Sequence, residues 1–298
     1  MIKRLLFALL LATRLTRFVA WLNRKQVTIL CYHSVTERQE ATPNDPHKLH
    51  LPVETFRQHL DFLQAHYQII SLAEYVKARR EHTALPDNAV VLTFDDGVRN
   101  FLTVVAPLLL KKGIPATSFL VTGESFTQET AKINGAWSPA DDEGYLSWSE
   151  VRELKAAGLD FGSHTCNHHS LPDIPLAQAR GELEESLKSL RTALGPAAFP
   201  LSFPHGRTSV AISRLSRTLG YSCAVTTALG QNDLQSDLFA LRRTVIASDD
   251  ALPTFAARMS GLTFWYAQVS ALFNGGLNPM RDSGTIGYET IVAEELKS

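Results

Sequence analysis

From residue 27 onward, short runs of apolar and β-branched residues alternate with longer stretches whose apolar positions recur every three or four residues. The first pattern is that of a buried strand, the second that of an amphipathic helix. Strands are predicted at 27–32 (VTILCY), 68–70, 89–94 (AVVLTF), 116–121, 159–162, 199–203 and 221–226. A helix is predicted over 55–66, where Phe56, Leu60 and Leu63 share one face. Ser71 to Glu74 and Ser147 to Glu150 have the form of capping boxes and open two more. Helices over 101–112 and 175–194, and one running to Leu219, stop at Gly113, Gly195 and Gly220. The stretches 34–51 and 122–145 read as a polar loop and a long polar insertion.

This alternation predicts the α/β class, a parallel sheet with helices outside it. Six or seven strand–helix units in about 230 residues suit a distorted (β/α)7-type barrel with parallel strands; an open doubly wound sheet is the alternative. One domain is therefore expected over 26–262, with an N-terminal segment (1–25) and a C-terminal tail (263–298) appended.

Composition narrows the partners. The 298 residues are 45% apolar and 20% charged, with a formal net charge of -1. No basic cluster interleaved with aromatics points to nucleic acid. Cys31, Cys166 and Cys223 are too few and too odd in number for a disulfide framework. Residues 1–25 join a basic start to an apolar run from Leu5 to Ala12, then Arg14 and Arg17. The run is shorter than the roughly 20 residues that span a bilayer. Three readings stay open: an interfacial helix or uncleaved anchor on a membrane surface, an export signal, or a helix packed on the domain. A membrane-associated protein is expected, on either side of the membrane.

The chemistry gathers where the strands end. In parallel α/β folds, functional groups collect at the carboxyl ends of strands. Here those ends carry His33, the Asp95-Asp96 pair, His164, and the turn Pro204-His205-Gly206. An Asp-Gly sequence by itself is a favoured turn. Two carboxylates at the end of an apolar strand, however, point in different directions, one free for a metal and one for a substrate. In SHTCNHHSL, His164 and His168 lie four apart, a spacing that on a helical turn sets both imidazoles on one side. Two imidazoles and one carboxylate leave a coordination position open, as catalytic zinc sites require.

TFDDG followed by HTxxH resembles the polysaccharide deacetylase family, also called the NodB-homology or carbohydrate esterase 4 family. The resemblance covers about residues 27–262 and includes PATSFL (115–120), LSWSEVREL (146–154) and FPHG (203–206). It implies a distorted barrel of about seven strands. It implies metal ligands Asp96, His164 and His168, with Zn2+ as the usual divalent metal. Asp95 would be the general base, and the backbone of the Pro204-His205-Gly206 turn would hold the oxyanion.

The chain departs from the common family pattern twice. No histidine follows His205, although most members supply the general acid from a late strand. His33 is the expected replacement, as in the poly-N-acetylglucosamine de-N-acetylases of biofilm systems, whose motif order is permuted. Ser202 stands where the family places an arginine that pairs with the base. Arg242 or Arg243 is expected to supply that charge, with Arg243 the better match.

His169 reads as exposed or as a support for its neighbour, and Trp148 as core. His47, His50 and Trp137 read as loop decoration or groove. The implied activity is metal-dependent removal of N-acetyl groups from a polysaccharide or glycolipid precursor. The alternatives are a de-O-acetylase of a surface polysaccharide and a non-catalytic glycan-binding protein.

Overall fold

A computed structural model describes residues 19–37, 48–123 and 144–261. The C-terminal tail, residues 1–18, His47 and Trp137 lie outside the described residues. Parallel strands dominate: β1 (Thr28–Tyr32), β2 (Ser34–Thr36), β3 (His50–Pro52), β4 (Gln68–Ile69), β5 (Ala89–Phe94), β6 (Thr117–Leu120), β7 (Asp160–Ser163), β8 (Leu201–Ser202), β9 (Ala224–Val225) and β10 (Thr244–Val245). The helices are α1 (Val53–His66), α2 (Leu72–Glu81), α3 (Ala106–Lys112), α4 (Trp148–Ala156), α5 (Leu176–Leu194), α6 (Val210–Leu219) and α7 (Leu252–Met259).

The main sheet has eight strands in the order β10-β1-β5-β6-β7-β8-β9, with β4 also paired to β5. The sheet curls. Val225 in β9 bridges Leu241, and Thr244, three residues on, pairs with Leu30 in β1. The 241–245 segment thus joins the two ends of the strand series, giving the barrel-like, parallel architecture that the alternation predicts. The first and last strands are neighbours.

Strand sequence explains which side chains face inward. Every residue of β5 is buried, as expected for a parallel strand covered on both faces. Alternate residues go to opposite faces. Ile29, Val91, Phe119, Val225 and Leu241 form an inner cluster, whereas Leu30, Tyr32, Leu92 and Phe94 pack outward against the helices. β1 and β5 pair with Cys31 opposite Thr93 and Tyr32 opposite Phe94. By that alternation Cys31 and His33, and Thr93 and Asp95, continue the inner face toward the carboxyl ends. At the opposite end, Leu72, Tyr75 and Val76 of α2 join the inner cluster.

Both capping boxes form: Ser71 and Ser147 each accept from the third backbone N–H of their helix, whose glutamate bonds back. Gly113 and Gly220 take the left-handed conformation that ends α3 and α6. Three sequence expectations change. The predicted loop 34–51 contains β2 and β3, which pair in parallel. The predicted helix over 101–112 begins as a π-helical turn, Phe101–Val105. β10 and α7 lie in a stretch to which the pattern assigned no element.

Candidate active site and metal centre

β5 runs out of its buried stretch directly into Asp95 and Asp96, and the two carboxylates part. Asp96 turns away because its backbone is left-handed (φ 74°), as is that of Gly97 (φ 72°). A side chain at position 97 would press on Leu120 at 2.8 Å, so glycine fits the turn for both conformational and spatial reasons.

Asp95 is held in the interior. Arg243 forms a two-pronged pair with it, Nη1 donating to Oδ1 and Nη2 to Oδ2, both at 2.7 Å. Arg243 is fully buried, and Asp95 is 3% exposed. The guanidinium also donates to Thr93 Oγ1, the Thr226 carbonyl and Ser202 Oγ, and lies over the Phe119 ring. Ser202 Oγ in turn donates to Asp95 Oδ2 at 3.1 Å, and Cys31 Sγ lies 3.5 Å from the same oxygen. Burial pushes the Asp95 carboxyl up, but Arg243 and then His164 pull it down further, leaving it well below the usual carboxylate range. Arg242, the other sequence candidate, does not make this pair.

Asp96, His164 and His168 converge. Their ligand atoms all lie within 4.8 Å of one another. His164 Nε2 is 3.4 Å and His168 Nε2 is 3.6 Å from Asp96 Oδ1, and the two Nε2 atoms are 3.2 Å apart. His164 Nδ1 donates to the Ser202 carbonyl at 2.8 Å, which fixes the tautomer and leaves Nε2 with its lone pair for a cation. Burial, opposed by His164, His33 and His168, leaves Asp96 at about 2; burial and the neighbouring His164 push His168 down to about 3, whereas Asp95 and Asp96 raise His164 against its burial. An ionised carboxylate and a neutral imidazole are the forms that bind metal. Among the described residues these three groups fit a divalent cation.

The route to this geometry corrects one expectation. Residues 164–168 are not a helical turn. Thr165 (φ 65°) and His168 (φ 57°) are both left-handed, and those reversals bring the imidazoles together. Glu182 of α5 braces the loop: its carboxylate accepts from the backbone N–H of Cys166 and Asn167, from the Asn167 side chain and from His169 Nδ1. His169 is therefore half-exposed and faces Glu182 rather than the cluster.

His33 ends β1 beside these groups. One of its ring nitrogens lies within 4.8 Å of both Cys31 Sγ and an Asp95 carboxylate oxygen. Its Nδ1 is buried and has no hydrogen-bond partner among the described residues. Burial lowers its pKa, against the pull of Asp96 and Asp95. Pro204, His205 and Gly206 form a short turn after β8. His205 is left-handed (φ 56°), and its ring lies 4.8 Å from that of His168, centroid to centroid. At Gly206 (φ 67°) a Cβ would collide with the backbone and side chain of Thr227. Trp148 packs partly buried against the core.

Sequence reasoning missed Ser202 and Cys31 as neighbours of Asp95, and Glu182 as the brace. Ser202 was noticed only as a missing arginine, yet its hydroxyl serves Asp95 and its carbonyl serves His164. Strand parity was the available signal for Cys31, two residues before His33 on the same strand.

Comparison with known proteins agrees with this geometry. A polysaccharide deacetylase profile matches residues 82–224. YxkH of Bacillus subtilis (strain 168), a polysaccharide deacetylase by name, is 23% identical over 82% of this chain and 80% of its own length. The poly-β-1,6-N-acetyl-D-glucosamine N-deacetylase of Escherichia coli (strain K12) is 29% identical over 65% of this chain; the match spans about a third, 33%, of that enzyme. Among solved structures, the Streptococcus pyogenes deacetylase PplD in complex with acetate superposes with a TM-score of 0.66 at 24% identity, covering 78% of this chain and 98% of that one, which bears on the fold. The fold, the two aspartates after β5 and the paired imidazoles after β7 agree with the profile match, and over residues 82–224 the chain is similar to the polysaccharide deacetylase family.

Proposed function

We propose that this protein is a metal-dependent hydrolase that removes N-acetyl groups from a polysaccharide or glycan precursor of the exopolysaccharide type. The observation that carries the reading is the division of labour between the adjacent aspartates. Asp96 faces two imidazoles, while Asp95 is turned inward and clamped by Arg243.

A divalent cation held by Asp96, His164 and His168, zinc by its donor set, would polarise the acetamide carbonyl and acidify a water. Asp95, kept ionised by Arg243, accepts the proton of that water at a carboxylate oxygen. The backbone of the 204–206 turn, left-handed at His205 and Gly206, would supply the donor to the developing oxyanion. An amine is too basic to leave unprotonated, so a general acid is needed. His33 supplies it: its ring, beside the Asp95 carboxylate, gives a proton to the leaving nitrogen and is recharged by the proton that Asp95 takes from the water. Arg243 and Ser202 act through Asp95 as positioning residues.

Acetate release from N-acetylated and O-acetylated glycans, with and without chelator, tests the reading. Chelator-sensitive release from N-acetyl substrates is expected. Release from O-acetyl substrates alone would make the enzyme a de-O-acetylase. Stoichiometric glycan binding without release, and no bound zinc, would make the protein a binding module.

A further inference from the structure

Cys31, His33 and Asp95 form a second convergence of metal-binding side chains, beside the one made by Asp96, His164 and His168. Alternation along β1 sets Cys31 and His33 on one face, and the pairing of β1 with β5 brings Asp95 alongside. Cys31 Sγ, one His33 ring nitrogen and an Asp95 oxygen all lie within 4.8 Å of one another. Cys31 is fully buried, and its thiol donates weakly to Asp95 Oδ2 at 3.5 Å. The Nδ1 atom of His33 is buried and has no hydrogen-bond partner among the described residues. Neither Cys166 nor Cys223 belongs to such a group among the described residues.

The three side chains are not equally available. Both Asp95 oxygens are taken by the Arg243 fork, and Oδ2 also accepts from Ser202. A cation entering here is therefore held by sulfur and imidazole. A thiolate is a soft donor and selects soft ions such as Cu+. A thiolate and an imidazole opposed across one ion, with bonds of about 2.3 and 2.0 Å, are roughly 4.3 Å apart. That separation falls inside the 4.8 Å limit, so β1 need not move. Charge selects the same class of ion. Thiolate binding releases the thiol proton, so a monovalent ion replaces a proton and leaves the net charge of the pocket unchanged. A divalent ion would leave the pocket one unit more positive next to the fully buried Arg243, with Asp95 already committed to that guanidinium.

We propose that Cys31 and His33 form a two-coordinate site for a soft monovalent cation, Cu+ or Ag+, and that its occupation inhibits the enzyme by withdrawing His33 from proton transfer. The ion gains one bond to Sγ and one to the imidazole nitrogen, and the thiol proton passes to solvent. The binding stands on the geometry of β1; the inhibition rests on the general-acid role given to His33 above. Asp96, His164 and His168 stay with the catalytic cation, so the inhibited enzyme keeps its zinc. Amide cleavage is lost before cleavage of an activated ester.

Silver is the probe, being stable in air. The zinc-loaded full-length chain, in a Cys166→Ser/Cys223→Ala background, is titrated with silver nitrate in chloride-free buffer. Calorimetry in two buffers of different ionisation enthalpy gives stoichiometry and proton release. One tight site per chain with one proton released, lost in Cys31→Ser and weakened at least about tenfold in His33→Ala, supports the proposal. No tight binding, binding indifferent to either substitution, or displacement of zinc overturns it. Acetate release is measured on the same samples. Release from an N-acetylated oligomer is expected to fall in step with silver occupancy and to return with excess free thiol, and the activity that Cys31→Ser retains is expected to resist silver. Full activity at full occupancy overturns the inhibition. Release absent even before silver is added overturns the deacetylase reading instead, and the stoichiometry still decides the site.

Discussion

Arg243 grips Asp95 through two parallel hydrogen bonds of 2.7 Å, and both side chains are buried. The charge that most family members are expected to place two residues before the Pro204 position reaches the same carboxylate here from the segment leading into β10. Its fork geometry uses both oxygens of Asp95 while leaving the carboxylate anionic. The remaining position on the network is filled by Ser202, small enough to sit between the two.

Breaking this pair is expected to be costly in two ways. Arg243→Met leaves a buried carboxylate unpaired, a loss of about 3–5 kcal/mol in urea unfolding. Without the guanidinium the Asp95 carboxyl rises, so the acidic limb of the pH–rate profile moves to higher pH. Arg243→Lys keeps a charge but not the fork, and its profile is expected to fall between the two. An unshifted acidic limb in Arg243→Met would show that Asp95 does not govern that limb.

The metal site is expected to depend on its brace as well as on its ligands. Asp96→Asn, His164→Ala and His168→Ala are each expected to abolish stoichiometric zinc binding and activity. Glu182→Ala leaves all three ligands in place but frees the 166–169 loop, and is expected to weaken zinc affinity about 10–100-fold. Zinc titration followed by thermal shift measures both, since a ligand that binds only the folded state raises the midpoint with concentration.

His33→Ala separates substrates by their leaving groups. An alkoxide or phenolate leaves with little help, whereas an amine requires a proton. The variant is expected to lose at least about 10²-fold in kcat on an N-acetyl substrate and far less on an activated acetate ester. Equal losses on both would assign His33 to structure rather than to proton transfer.

Acid stability reports on a histidine remote from the site. His59 is fully buried, stacked on Phe255 at 3.7 Å, with Nε2 donating to the Asp250 carbonyl at 2.8 Å. Burial pushes its pKa down to about 4. In the unfolded chain it titrates near 6.5, so between about 6.5 and 4 the unfolded state takes up a proton that the folded state refuses. Stability therefore falls as pH drops through that window, by roughly 3 kcal/mol in all, and this group adds nothing further below it. His59→Gln retains the donor without the titration; urea midpoints between pH 7 and pH 4.5 are expected to fall less steeply in that variant.

The strand rhythm was legible because parallel strands covered on both faces become unbroken apolar runs, as in AVVLTF. β2 and β3 were not: each is three residues long, and His50-Leu51-Pro52 has neither alternation nor a β-branched run. The imidazole spacing was legible, but its conformation was not. Two left-handed residues inside a five-residue loop leave no periodic trace, and the same four-residue step can be made by a helix or by two reversals. The sequence pattern favoured Arg243 over Arg242 only slightly. Only the path of the backbone through β10 decides which of two neighbours faces inward. Ser202 gave no signal, since its carbonyl and hydroxyl are both put to use by position alone.

Closure of the sheet between Leu30 and Thr244 has a consequence for biosynthesis. Arg243 emerges from the ribosome more than two hundred residues after His33, with Asp95 and both imidazoles in between. A nascent chain can form β5 to β7 and assemble the three ligands, but Asp95 stays unclamped until the last strand docks beside the first. A truncated product lacking β10 would leave Asp95 without its clamp, and is expected to be catalytically silent however well the Asp96, His164 and His168 cluster survived.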